Sequence, residues 1–145
     1  PFKTVWQHGD YKIENIFFAP GSLRLKTIID WDLARKEGLP LLDVLYLLIY
    51  ADNLKTKEWI STIFRERFLK ENFNRIEKEI ISGYMRALGL SMHYVRPLMV
   101  MFWITHIASR YGQLLQGESA QKEKFMRENV YRTIDSIWHL YEAKP

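Results

Sequence analysis

Three polar side chains in the first thirty residues have the types that a phosphoryl-transfer site requires. Asp10 and Asn15 lie five positions apart, and Asp30 follows fifteen positions later. Phosphoryl transfer uses one carboxylate to orient the attacking hydroxyl, and an amide with a second carboxylate to hold magnesium on the phosphates. Because Mg²⁺ keeps several waters, two protein ligands and the phosphates are chemically sufficient. The spacing therefore suggests phosphoryl-transfer chemistry in this part of the chain.

Each of these residues also has a simpler interpretation. An Asp before a turn, or an Asn that opens a strand, usually serves turn chemistry. For a single motif that interpretation competes strongly with a functional one. The occurrence of both motifs, in order and at this separation, favours the functional interpretation.

The elements around the motifs are predicted to bring them together. Residues 4–7 form a predicted strand that delivers His8-Gly9-Asp10 to a loop, and Gly9 permits a positive φ there. Residues 15–18 and 23–29 form the two predicted strands of a hairpin. Paired strands lie about 4.8 Å apart. We therefore expect Asp10, Asn15 and Asp30 in one cleft, with the Asn15 and Asp30 side-chain oxygens within roughly 3–6 Å.

The two motifs resemble the catalytic set of the protein kinases, H-R-D-x-x-x-x-N followed by D-F-G. Here the first motif begins His8-Gly9-Asp10, and the second is Asp30-Trp31-Asp32. This version resembles the aminoglycoside phosphotransferase and choline kinase superfamily of small-molecule kinases. The resemblance is strongest across residues 4–49 and is architectural beyond them.

The resemblance implies a role for each loop residue. Asp10 matches the catalytic Asp that accepts a hydrogen bond from the substrate hydroxyl, and Asn15 and Asp30 match the magnesium ligands. His8 matches a residue that braces the loop against the metal-site segment. Lys12 lies where protein kinases carry a lysine that touches the transferred phosphoryl group; electrostatic stabilisation and a solvent-facing lysine are equally open.

Two further carboxylates follow the motif region. Asp32 replaces the Gly of D-F-G, which favours the small-molecule branch and leaves a substrate or secondary metal contact open. Asp43 ends the segment Gly38-Leu39-Pro40-Leu41-Leu42-Asp43, which is similar to the family's Gly-x-Pro-x-x-Asp. The resemblance implies a structural carboxylate that braces the catalytic loop backbone. The next residues, Val44-Leu45, depart mildly from the family pattern.

The remainder of the chain has helical periodicity, so the predicted fold class is α+β and mostly helical: a kinase-like C-terminal lobe with a small hairpin region on a helical body. Residues 41–50 are almost wholly apolar and predict a buried helix. Two further predicted apolar stripes are Trp59, Ile60, Ile63, Phe64, Phe68 and Ile76, Ile80, Tyr84, Leu88, the second closed by Gly89. A long helix is expected from residues 91–97 to Leu114, broken at Gly117 and Ser119.

The last predicted helix carries Val130, Ile134, Ile137, Trp138 and Tyr141. Trp59, Trp103 and Trp138 are expected in the core, although a cation pocket is an alternative. The histidines His93, His106 and His139 have no metal spacing, and we expect packed or surface side chains.

Composition bounds the remaining alternatives. The chain has 145 residues, 48% of them hydrophobic and none cysteine, so one globular domain without disulfides or thiolate metal sites is expected. The absence of an apolar run of about 18 residues gives no reason to expect a membrane partner. The Lys and Arg residues are interspersed with Glu, which disfavours a nucleic-acid partner. The net charge of +4 suits an anionic ligand such as ATP. A cytoplasmic location is expected.

The chain lacks the features of a kinase N-terminal lobe. That lobe carries a Gly-rich loop over the phosphates and a strand lysine paired to a helix glutamate, whereas the seven glycines here are scattered and few residues precede His8. We therefore expect residues 1–145 to be one domain, the C-terminal lobe of a longer ATP- and Mg²⁺-dependent kinase acting on a substrate hydroxyl. A non-catalytic binding or regulatory module is the alternative. The positive charge and lack of acidic clusters disfavour an aminoglycoside and leave choline, amino-alcohols and sugars open.

Overall fold

A computed structural model describes residues 3–114 and 119–142, with the backbone alone described at 111–114. Four short strands come first: β1 (Val5–Gln7), β2 (Ile16–Phe18), β3 (Leu25–Ile28) and β4 (Arg35–Gly38). The helices are α1 (Leu42–Thr56), α2 (Ile60–Ile63), α3 (Arg75–Ala87), α4 (Val95–Leu114), α5 (Ser119–Phe125) and α6 (Arg132–Glu142). Short 3₁₀ turns occupy Ile13–Asn15 and Met92–Tyr94, and π-helical segments occupy Phe64–Phe68 and Met126–Tyr131. The fold is α+β and mostly helical, as predicted.

The strands form two separate antiparallel pairs. β2 and β3 form the predicted hairpin, with Ile16 opposite Ile28. β1 pairs with β4, with Val5 opposite Gly38, and β4 was not predicted. Its residues are mostly charged and exposed, so they lack the alternating pattern that identifies a half-buried strand. Gly38 is required there, since a Cβ at this position would lie 2.4 Å from the Gln7 Cβ.

The core lies among the helices. α1 packs against α2 and α4, so the predicted buried helix is confirmed and extends beyond Tyr50 to Thr56. At the centre, the Phe64 and Trp103 rings stack with centroids 4.5 Å apart. The Trp103 indole N–H donates to the Asn129 carbonyl oxygen at 2.8 Å, which satisfies its buried polar group.

The predicted apolar face of α3 was wrong at Ile76 and Ile80, which are exposed, whereas Tyr84 packs against the core. Ile76 is 67% exposed, whereas Glu77 is 4% exposed and shares the inner face with Ile81. Glu77 is held inward because its carboxylate accepts from the Asn74 backbone N–H at 2.8 Å and from Arg67 at 2.8 Å. This paired, capping carboxylate rotates the helix away from the register that its isoleucines suggest. The end of the helix at Gly89, with φ of +66°, is confirmed.

The tryptophan prediction was correct at only one of the three positions. Trp103 is 2% exposed, but Trp59 is 61% and Trp138 62% exposed. On α6, Ile137 packs against the core, while Trp138 lies on the exposed side with Ile134 and Tyr141. The predicted break at Gly117 lies outside the described residues, and Ser119 begins α5.

No single helix in residues 3–114 and 119–142 is long and apolar enough to cross a membrane. Arg75–Ala87 and Met92–Arg110 reach the required length and composition only as a pair, and they are bent by 114° at their break.

Candidate functional site

The residues 8–15, here named the His-Gly-Asp loop, are attached to the first turn of α1. The His8 and Gly9 backbone N–H groups donate to the two carboxylate oxygens of Asp43, at 2.6 and 3.0 Å. Gly9 has a φ of +85°, and a Cβ there would lie 2.6 Å from the Leu33 carbonyl oxygen. One carboxylate and one glycine therefore determine the path of the loop.

His8 connects this loop to the segment that carries the second motif. Its ring is 2% exposed and lies 4.6 Å from the Trp31 ring, centroid to centroid. The Asp10 backbone N–H donates to His8 Nδ1 at 3.3 Å, so the proton of the neutral ring belongs on Nε2. Nε2 then donates to the Ile29 carbonyl oxygen at 2.8 Å, one residue before Asp30.

Asn15, the last residue of the loop, is buried, and the orientation of its amide is fixed. The Nδ2 group donates to the Asp10 carbonyl oxygen at 2.9 Å and lies 3.4 Å from the Asp10 carboxylate. With Nδ2 engaged, the amide oxygen is the atom left to act as a ligand. The Ile29 backbone N–H donates to the Asn15 backbone carbonyl oxygen at 3.0 Å. Asp30 directly follows Ile29, so this bond brings the backbone of Asp30 close to that of Asn15. The separation of the Asn15 and Asp30 side-chain oxygens stays a prediction.

Asp30 itself has an unusual backbone conformation. Its φ is +66°, in the left-handed region that non-glycine residues seldom adopt and in which Asp and Asn are enriched. Asp32, two residues later, is exposed in a turn.

Asp10 is half-buried and makes polar contacts on several sides. Lys12 Nζ lies 2.6 Å from its carboxylate, and Tyr46 lines the same cleft beside it. Burial raises the pKa of Asp10, but the bond to Lys12 and its charge, with help from Tyr46 and Asn15, hold the pKa below its usual value. The same bond raises the pKa of Lys12. Asp10 is therefore an ionised carboxylate at neutral pH.

One face of α1 lies against the loop. Asp43, Tyr46 and Tyr50 are spaced by three and four residues, which places them on the same side of a helix. Asp43 binds the His8 and Gly9 amides, and the Tyr50 hydroxyl donates to Glu14 at 2.8 Å. Tyr46, between them, lines the cleft with Asp10 and helps to lower the pKa of Asp10. The two tyrosines were missed in the sequence, although polar atoms at this spacing on an otherwise apolar helix were the signal that identifies them.

Two cavities lie on this side of the molecule, and one of them is lined by Asp10. The first is a cleft of about 340 Å³ between the loop, β4, α1 and α4. The second, of about 610 Å³, lies against the end of α1, α2 and α5. The first is lined by Asp10, Lys12, Arg35, Tyr46, Thr105 and Ser109 among others; the second includes Asn53, Trp59, Ile60, Gln121 and Phe125. His106 and Arg110 of α4 line both cavities.

His106 is packed among aromatic rings, which is one of the two environments, packed or surface, that were expected for this histidine. Its centroid lies 6.1 Å from Tyr46, 5.9 Å from Phe102 and 5.3 Å from Trp103. Burial, and secondly the charge of Arg110, lowers the pKa of His106 to about 4. A neutral imidazole therefore lies at the junction of the cavities at physiological pH.

We expect His106 to make the fold acid-sensitive. The pKa of His106 is about 4 in the folded chain, and an unfolded histidine titrates near 6.5. Between these values the unfolded chain binds the extra proton, so stability falls as pH falls, by about 2–3 kcal/mol in total. The free energy of unfolding would be measured by urea denaturation at several pH values between these limits. It should depend less steeply on pH in His106→Gln than in the wild type. His139→Gln, at an exposed position, is the control; an equal slope change there contradicts the assignment.

The residues present fit magnesium by their chemistry. The described part of the chain contains no cluster of three or more His, Asp or Glu side chains arranged as a metal site. A magnesium ion that keeps waters and binds phosphates requires only one or two protein oxygens. The buried Asn15 amide oxygen and the Asp30 carboxylate are donors of that kind.

Comparison with known proteins identifies the family of the chain. The sequence profile described as the phosphotransferase enzyme family, APH, matches residues 1–80. Similar curated proteins include acyl-CoA dehydrogenase family member 11 of Rattus norvegicus, 28% identical over 133 residues, which are 88% of this chain and 17% of that protein. The Mus musculus protein of that name is 26% identical with the same coverage, and the Homo sapiens protein is 24% identical over 88% of this chain and 16% of its own length. The chain thus spans about a sixth of these relatives. No solved structure matches it.

Proposed function

The chain belongs to the phosphotransferase enzyme family, and we propose from this premise that it is the C-terminal, acceptor-binding lobe of an ATP-dependent small-molecule kinase. The observation that carries the proposal is an ionised Asp10 at the wall of a cleft, held in place by Lys12 and Asn15. Such a carboxylate is poised to accept a hydrogen bond from an acceptor hydroxyl.

The proposed reaction transfers the γ-phosphoryl group of ATP to that hydroxyl. The acceptor oxygen forms a bond to the γ-phosphorus as the bond from phosphorus to the β–γ bridging oxygen breaks, and ADP leaves. The acceptor's proton passes to the Asp10 carboxylate. Lys12, 2.6 Å from Asp10, places a positive charge beside the transferred group and stabilises it.

Asn15 and Asp30 are the residues that would hold Mg²⁺ in this proposal. When bound, that ion would neutralise charge on the phosphates. The bond from Asn15 Nδ2 to the Asp10 carbonyl supports the assignment because it orients the amide oxygen as the free donor atom. Asp32 is exposed and is proposed only as a secondary contact.

His8 and Asp43 are proposed as positioning residues. His8 joins the loop to Ile29, next to Asp30, and Asp43 binds two loop amides. Neither assignment requires contact with the acceptor. Both act by keeping Asp10 and the metal ligands in one arrangement, which is a large contribution when catalysis depends on positioning.

An N-terminal lobe of the same protein is the proposed partner. Exposed large apolar residues are concentrated on the strands and their connections: Trp6, Phe17, Phe18, Leu23, Leu25, Trp31 and Leu33. Large exposed apolar surface is typical of interaction sites. We propose that part of it packs against a lobe that supplies the phosphate-covering loop and its lysine.

We expect the isolated 145-residue chain to show no ATP-dependent phosphotransfer, because its sequence has no Gly-rich segment of the kind that covers the phosphates. Release of ADP with a panel of hydroxyl acceptors would be followed for this chain and for a longer protein that includes the proposed N-terminal lobe. The Asp10→Asn chain, purified in parallel, reports contaminating kinases. Turnover by the wild-type chain above that background would contradict the two-lobe proposal.

The names of the relatives suggest which acceptors to include. They refer to acyl-CoA dehydrogenation, so we propose hydroxyl-bearing acyl groups as acceptors beside amino-alcohols and sugars. A second candidate function follows from the same names: a non-catalytic module that binds an acyl compound for another enzyme activity. Dependence of product formation on ATP and Mg²⁺ in the longer protein separates the two.

A further inference from the structure

The Asp10 cleft and the second cavity meet at His106 and Arg110. Tyr46 lines the cleft with Asp10, and its ring centroid lies 6.1 Å from that of His106. The charge of Arg110 acts on both Tyr46 and His106. Because His106 and Arg110 line both cavities, a ligand that enters the Asp10 cleft can extend past them into the second cavity.

The charges along this path favour an anion. Asp10 is paired with Lys12, and Asp43 is bonded to two backbone amides. By contrast, no carboxylate among the described residues pairs with the guanidinium groups of Arg35 and Arg110, which line the cleft. Unpaired guanidinium groups bind carboxylates and phosphates by paired hydrogen bonds.

The second cavity offers apolar surface. Trp59, Ile60 and Phe125 line it, and Trp59 is 61% exposed with the Lys124 ammonium 5.0 Å from its ring centroid. Lys57 and Glu58 add one charge of each sign to its lining. An apolar ligand that covers the exposed tryptophan ring removes apolar surface from water, which favours binding.

We infer that the two cavities form one acceptor groove for an anionic hydroxy compound with an apolar chain. Its hydroxyl lies at Asp10, its anionic group, a carboxylate or a phosphate, binds Arg110, and its chain lies against Trp59, Ile60 and Phe125. The inference rests on the proposed function for the placement of the hydroxyl. It predicts an acceptor opposite in charge to an aminoglycoside or choline.

The first test is calorimetric binding to the purified chain without ATP. The probes are beta-hydroxydecanoate, its coenzyme A thioester, and the diol and amino-alcohol of the same carbon skeleton. We expect at least one anionic probe to bind about 10-fold or more tightly than the amino-alcohol. The stronger of the two anionic probes identifies the anion as carboxylate or phosphate. Equal binding across the series, or preference for the amine, overturns the inference.

Two pairs of variants locate the binding. Arg110→Gln should weaken the binding of the anionic probe about 10-fold. Arg86→Gln, at an exposed position on α3 outside both cavities, should leave that affinity unchanged. Trp59→Ala should weaken the binding of beta-hydroxydecanoate about 5-fold or more and leave the binding of the short-chain beta-hydroxybutyrate unaffected. Trp138→Ala, at an equally exposed tryptophan, is its control. Equal losses within either pair overturn the groove assignment.

The experiment separates the groove from the reaction. The substituted side chains are exposed, and a melting curve for each variant verifies its fold. Selective anion binding by the chain, combined with no phosphotransfer by the longer protein, keeps the groove and rejects the kinase. Phosphotransfer to amino-alcohols without anion binding keeps the kinase and rejects the groove.

Discussion

Asp10→Asn should reduce ATP-dependent phosphotransfer by the longer protein about 10²–10⁴-fold. The amide keeps the shape of the carboxylate but cannot take the proton of the acceptor hydroxyl. It also removes the negative charge that faces Lys12, whose Nζ lies 2.6 Å from Asp10. The initial rate of ADP release with saturating acceptor measures the effect.

The matched control is Asp32→Asn. Asp32 is exposed and is proposed only as a secondary contact, so its rate should fall far less than that of Asp10→Asn. The melting temperature of Asp10→Asn should stay close to that of the wild type, because the ion pair with Lys12 is partly exposed and such pairs contribute about 1 kcal/mol or less. Equal rates for the two variants would remove Asp10 from the proposed role.

Asp43→Ala should destabilise the fold by about 2–6 kcal/mol, since it leaves two backbone donors without a partner at about 1–3 kcal/mol each. The donors are the His8 and Gly9 N–H groups, at 2.6 and 3.0 Å from the carboxylate. The same loss frees the loop that carries Asp10, so activity of the longer protein should fall together with stability. Urea unfolding followed by circular dichroism measures the free energy.

Asp10→Ala and Asp43→Asn are the controls for this prediction. Asp10→Ala should cost much less than Asp43→Ala, because its main partner is the side chain of Lys12 and both groups can turn to solvent. Asp43→Asn retains one acceptor oxygen, so its free energy of unfolding should lie between those of the wild type and Asp43→Ala. Equal or reversed melting shifts for Asp43→Ala and Asp10→Ala would show that Asp43 does not hold the loop.

The parts of the fold that local sequence determines were predictable. The β2–β3 hairpin follows from a turn between two apolar strands, and the buried helix α1 follows from its apolar run. Gly89 ends α3 because a left-handed residue at that point favours glycine. Each of these signals is contained within a few consecutive residues.

The errors arose where distant residues decide the outcome. β4 is exposed and charged, and only its pairing with β1 makes it a strand. The face of α3 is set by the partners of Glu77, one of which, Arg67, is ten residues away. Arg110 gains its place in the groove from the packing of α4 against α1, which no short segment encodes.

The attachment of the loop to α1 determines how this region opens to solvent. The His8 and Gly9 amide protons are held by a carboxylate in the first turn of that helix. Loops usually belong to the part of a protein that opens most readily, whereas these amides can exchange with deuterium only when their bonds to the helix break. Tyr50 adds a further attachment along the same helix through its bond to Glu14. We therefore expect the His8 and Gly9 amides to exchange together with the first turns of α1.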